Sequence, residues 1–110
     1  MIKVEIERTK EGKICAFTMK GHAHFAKHGQ DIVCAGASAV SFGTVNAIEA
    51  LTKIRPHVAL GETGGYLRCE LPEIEDAATA EKVQLLLEAM LVSLQTIERD
   101  YGEYIRIIQR

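Results

Sequence analysis

The chain has no tryptophan and only two prolines among 110 residues, and aromatics make up 5% of it. It also lacks a basic excess: the formal net charge is −2. That balance argues against direct nucleic-acid binding, although a local acidic groove can still receive a basic peptide. A disulfide framework is missing too. The three cysteines, Cys15, Cys34 and Cys69, are odd in number and form no CxxC pair. The N-terminus Met1-Ile2-Lys3-Val4-Glu5 alternates apolar and charged residues and has no leader-like apolar run. These features predict a reducing, cytoplasmic setting with three free thiols. The most apolar stretch, Ile32 to Leu51, is interrupted by Ser38, Ser41, Thr44, Asn46 and Glu49, so it is read as a buried helix and not as a membrane span.

What is present is the composition of a folded domain: 47% hydrophobic and 25% charged residues. One domain over residues 1–110 is expected. Ile2, Val4 and Ile6 alternate with charges as in a half-buried strand. A turn at Thr9–Lys13, where Gly12 can take positive φ, leads to a second strand over Ile14–Lys20, with Cys15, Phe17 and Met19 on one face. A long helix is predicted to start near Asp31, a favoured N-cap, and to be closed by Pro56. Its expected stripe is Val33, Ala37, Val40, Thr44, Ala47 and Leu51. Its other side is Ala, Ser and Gly, which predicts cover on more than one side, from a sheet or a second subunit. Short strands follow at His57–Leu60 and Tyr66–Leu71. A second helix over about Ala77–Tyr101 carries Val83, Leu87, Met90, Leu94, Ile97 and Tyr101 on one stripe, with Gly102 as a C-cap candidate. A last strand spans Tyr104–Ile108. The order ββαββαβ predicts an α+β two-layer sandwich, with two helices on a mostly antiparallel sheet.

Between the second strand and the first helix the periodicity stops. Gly21 to Gln30 holds His22, His24 and His28, with glycines near both ends and no apolar pattern to anchor it. Cys34 falls in the first turn of the expected helix, where unpaired backbone N–H groups favour a thiolate. A thiolate nucleophile needs a base beside it, and His22 can fold back to that point. The bland alternative is a packed cysteine in an Ala-rich helix, since free Cys is among the most buried residue types. Cys15 and Cys69 on strand faces fit that packing role. A metal set of His22, His24, His28 and Cys34 is a further alternative, but its spacing matches none of the common zinc patterns. Asp31 is either the helix cap or a third member orienting His22, with the cap preferred. Ser38, one turn after Cys34, shares its helix face.

Gly21-His22-Ala23, then Gly29-x-Asp31-Ile32-Val33-Cys34-Ala35, then Ser38, resembles the ribosomal-processing cysteine proteases, the Prp family. The resemblance runs along the whole chain, through the Leu-rich second helix to Glu103-Tyr104-Ile105. It implies a bacterial, cytoplasmic, homodimeric endopeptidase with no cofactor and no metal. Its substrate would be the precursor of ribosomal protein twenty-seven of the large subunit, cut after an aromatic residue of a short N-terminal extension. The family's nucleophile falls on Cys34 and its base on His22; Asp31, Ser38 and Gly21 stand as supporting positions. No role carries over to His24 or His28. Backbone N–H groups at the helix start are the expected oxyanion donors. The competing functions are a non-catalytic assembly factor binding the same basic tail, and a metal-binding protein.

Overall fold

A computed structural model describes residues 1–27 and 30–110. Seven elements follow in the order strand, strand, helix, strand, strand, helix, strand: β1 (Ile2–Arg8), β2 (Ile14–Lys20), α1 (Ile32–Thr52), β3 (His57–Leu60), β4 (Tyr66–Glu70), α2 (Ala77–Tyr101) and β5 (Ile105–Gln109). The five strands form one sheet, ordered β3-β4-β2-β1-β5. Three pairings are antiparallel and β1–β5 is parallel, so the sheet is mixed, as an α+β two-layer sandwich allows.

Period-two alternation decides which side of the sheet is covered. Ile2, Val4 and Ile6 of β1 enter the core with Phe17, Met19, Leu67, Cys69 and Ile105. Both helices cover that face and pack on each other, α2 through Val83, Leu87, Met90, Leu91 and Leu94. The opposite face carries ions. Arg68 Nη1 donates to Glu7 and to Thr18 Oγ1, both at 2.7 Å, and its Nε donates to Glu70 at 2.9 Å.

Three local expectations are revised. The β1–β2 register shifts between Glu7 and Arg8, so Arg8 pairs with Ile14 and Glu7 with Ala16. This bulge puts Ile14 in the core and leaves Cys15 half-buried, its S–H donating to Glu7 O at 3.5 Å; Cys15 does not continue the Phe17–Met19 face. In α1 the buried line is Val33, Ala37, Ser41 and Ile48, while Leu51 is 71% exposed. Ser41 is tolerated inside because its hydroxyl reaches Met19 Sδ at 3.5 Å. The helix also stops at Thr52, short of Pro56, because Lys53 adopts φ 67° and its N–H returns to Glu49 O.

By length and composition α1 is one helix able to cross a membrane. In this fold one side of it lies in the core, while Ile32, Phe42 and Leu51 remain exposed. The neighbouring edge strand β3 is open as well, with Val58 43% and Leu60 61% exposed. Within the chain, cover of α1 is therefore one-sided.

Candidate active site

Asp31 fixes the start of α1. Its φ/ψ of −86°/104° is extended, and Oδ1 accepts from the N–H groups of Val33 and Cys34 at 3.0 Å each. Oδ2 accepts from Phe25 N–H at 2.9 Å and Ala26 N–H at 3.4 Å. One carboxylate thus caps the helix and ties the preceding loop to it. Burial pushes its pKa up, but the four backbone donors outweigh this and hold it below the ordinary carboxylate range. All four partners are backbone groups, so the structure shows the cap and not a carboxylate orienting His22.

The same bonds occupy part of the helix start. The N–H groups of Val33 and Cys34 are engaged by Asp31, and Ala35 N–H bonds Asp31 O at 3.0 Å. Two first-turn donors of α1 are therefore taken up by the cap. The donor that meets the sulfur comes from the loop: Ala23 N–H lies 3.2 Å from Cys34 Sγ. A backbone N–H aimed at sulfur stabilises a thiolate there.

Ala23 is held in place by what precedes it. Gly21 has φ 94°, and a Cβ on it would stand 2.5 Å from Met1 O. Its N–H bonds Gly65 O at 2.8 Å. Both the backbone angle and the close approach require glycine. Gly21→Ala should cost about 1–3 kcal/mol in urea unfolding and lower turnover by displacing His22 and Ala23. Wild-type stability for this variant would contradict the arrangement.

His22, Cys34, Asp31, Ser38 and Gly21 all line one groove of about 720 Å³ between α1, β4 and the loop. Its apolar wall includes Ile2, Met19, Phe42, Leu60 and Tyr66. Among the described residues no hydrogen bond joins the His22 ring to Cys34, and such bonds commonly tighten only around substrate. Ser38 is half-buried in the groove wall one turn beyond Cys34. Cys69 behaves as packing: it is 1% exposed, and burial pushes its thiol up to about 11.

Phe25, in the described part of the loop, has an anchor that the sequence did not suggest. The Phe25 ring stands edge-on to Tyr101 at 5.7 Å and to Tyr104 at 5.1 Å. His24, expected to be an idle loop residue, adopts φ 58°, lines the groove and sets its ring 6.1 Å from that of His22. Its short distance in sequence from His22 was the available clue. His28 and Gly29 lie outside the described residues. Among the described residues, no three metal-binding side chains gather in one place.

Replacing Asp31 tests the cap. Because its folded-state carboxyl titrates below the ordinary value, its contribution is complete above about pH 5 and fades as pH falls through the folded value. Asp31→Ala should lower Tm by several degrees at pH 7 and by much less in acid. Equal losses at both pH values would refute the charged cap.

A half-exposed thiol at a helix start, with an N–H on its sulfur and an imidazole in the same groove, defines the class of thiol-dependent hydrolases. The family model for the cysteine protease Prp matches residues 1–106, and the chain belongs to that family; it is a cysteine protease. A ribosomal processing cysteine protease Prp of Bacillus subtilis is 50% identical over 107 residues, 97% of this chain and 96% of that one. One from Staphylococcus aureus is 47% identical over 107 residues, 97% of each chain. The crystal structure of the essential S. aureus Prp with a covalently linked product peptide aligns at TM-score 0.91 and 45% identity, covering both chains completely. That of the same protease with a substrate peptide aligns at TM-score 0.84 and 44% identity, again with complete coverage.

Proposed function

We propose that this protease removes a short N-terminal extension from bacterial large-subunit ribosomal protein twenty-seven, cutting after an aromatic residue by means of Cys34 and His22. The observation that carries the reading is the Ala23 N–H on Cys34 Sγ, in a groove that also holds His22. The apolar wall formed by Met19, Phe42, Leu60 and Tyr66 suits an apolar-aromatic stretch of peptide. The curated relatives are named for ribosomal processing, and the S. aureus relative holds its product peptide covalently.

In the mechanism, the Cys34 thiolate attacks the scissile carbonyl and forms a tetrahedral intermediate. His22, protonated, donates its proton to the leaving amine as the C–N bond breaks, leaving a thioester on Cys34. The neutral imidazole then takes a proton from water, whose oxygen attacks the thioester; the acid is released and the thiolate returns. Ala23 N–H supports the sulfur when it carries charge. The enzyme works in the cytoplasm as a homodimer; Ile32 and Leu51 on α1 and Val58 on β3, exposed apolar residues outside the groove lining, support the second part of that reading.

The test is incubation with the extended ribosomal protein, followed by product mass and sedimentation of the enzyme. One cut after an aromatic residue, made by a dimer, is expected. An intact extension on a bound protein would replace the protease reading of this substrate with a non-catalytic assembly factor.

A further inference from the structure

Gly65 lies in the turn between β3 and β4, far from His22 in sequence, yet it meets that residue at two points. Its carbonyl accepts the N–H of Gly21, which sets the backbone entering His22. Its missing side chain makes room for the ring. A Cβ on Gly65 would stand 2.7 Å from His22 Nε2, 3.1 Å from Cε1 and 3.3 Å from Cδ2. The far edge of the imidazole therefore rests against a bare Cα, and any side chain there forces the ring to move. Gly65 also has φ 73°, so backbone conformation alone would favour glycine.

These two demands can be separated within the same chain. Gly64 (φ 78°) and Gly12 (φ 84°) make the same conformational demand, but a Cβ on either meets nothing within 4 Å. Alanine at those positions adds strain alone. Alanine at Gly65 adds strain and displaces the imidazole. We infer that Gly65 is a positioning residue of the protease, seating the His22 ring for its work beside Cys34. The inference rests on the reading of His22 as the base.

The experiment compares Gly65→Ala, Gly64→Ala, Gly12→Ala, His22→Ala and the double variant His22→Ala/Gly65→Ala. Two quantities are read: kcat and KM on a peptide carrying the aromatic cleavage stretch, and the pH dependence of iodoacetamide alkylation at Cys34, followed by peptide mass. Gly65→Ala should lose about 10²-fold in kcat with little change in KM, since small misplacement of a reacting group costs factors of that size. Its alkylation profile should match that of His22→Ala. Gly64→Ala should remain at least about tenfold more active than Gly65→Ala, and Gly12→Ala should lose stability without losing kcat. In the His22→Ala background, Gly65→Ala should change the alkylation rate no further, because a residue acting through His22 has nothing left to position.

A Gly65→Ala enzyme with wild-type kcat overturns the inference. So does an equal loss in Gly64→Ala, or a loss that adds in full to His22→Ala. A fully active His22→Ala instead removes the base reading itself, which is a distinct result. If Gly65→Ala does not fold, nuclear Overhauser effects between the Gly65 α-protons and the His22 ring protons in the wild-type enzyme decide the matter: their presence supports the seat and their absence overturns it.

Discussion

Cys34→Ala is expected to abolish peptide cleavage, by on the order of 10⁴-fold or more, while leaving the fold and peptide binding in place. The fold should survive because the structural role of this position belongs to its backbone. Asp31 caps the N–H of residue 34, and alanine keeps that N–H. Alanine removes the hydrogen bond from Ala23 N–H to Sγ and the partial packing of a half-buried side chain against the core, a modest loss. Cys69→Ala should behave in the opposite way. Its sulfur is inside the core, and truncation there should cost about 1–3 kcal/mol with turnover retained. Cys15→Ala should be milder still, since the bulge leaves that residue half-buried. Product mass, fluorescence anisotropy with labelled peptide and urea unfolding measure the three effects. Cleavage by Cys34→Ala at the wild-type rate would remove the nucleophile assignment.

The contrast between the three cysteines marks how far the sequence can be read. Alternation in Ile2–Ile6 and the three-to-four spacing of Val83–Leu94 depend on local periodicity alone, and the strands and α2 follow from them. Asp31 as a cap was legible for the same reason. Features that depend on a partner distant in sequence were not. The bulge opposite Glu7 is a property of two strands in register, so Ile14 and Cys15 exchanged places. Ser41 entered the core because Met19 lies opposite, which counting apolar residues cannot detect. The bonds from Phe25 and Ala26 N–H to Asp31 Oδ2 and the anchoring of Phe25 on Tyr101 and Tyr104 both require the loop to fold back. His22 and Cys34 were candidates from local spacing and were assigned through the family resemblance of the motif; Ala23 and Gly65, which act through backbone groups, carry no side-chain signature to find.

His22→Ala is expected to lose about 10²–10⁴-fold in turnover, the range general acid–base catalysis supplies. The thiolate would remain supported by Ala23 N–H, so Cys34 should still react with iodoacetamide. The variant would lack the proton delivered to the leaving amine, and then the base for water. The deficit should therefore be greatest for substrates with a poor leaving group. An activated ester, whose leaving group departs without a proton, should be hydrolysed with a smaller deficit in the acylation step. Added imidazole should restore part of the peptide activity if the space vacated by the ring is left open. His24→Ala is the demanding comparison, because its ring faces that of His22 at 6.1 Å in the same groove. The family's motif places no role on it, so its removal should cost no more than about tenfold, through looser placement of its neighbour. His28→Ala should retain most activity. A bound metal would produce a different pattern: all three histidine variants would fail together and release the ion, with a common loss of stability. Equal activity in His22→Ala and wild type on the peptide would leave Cys34 without its proton donor and end the Cys–His mechanism.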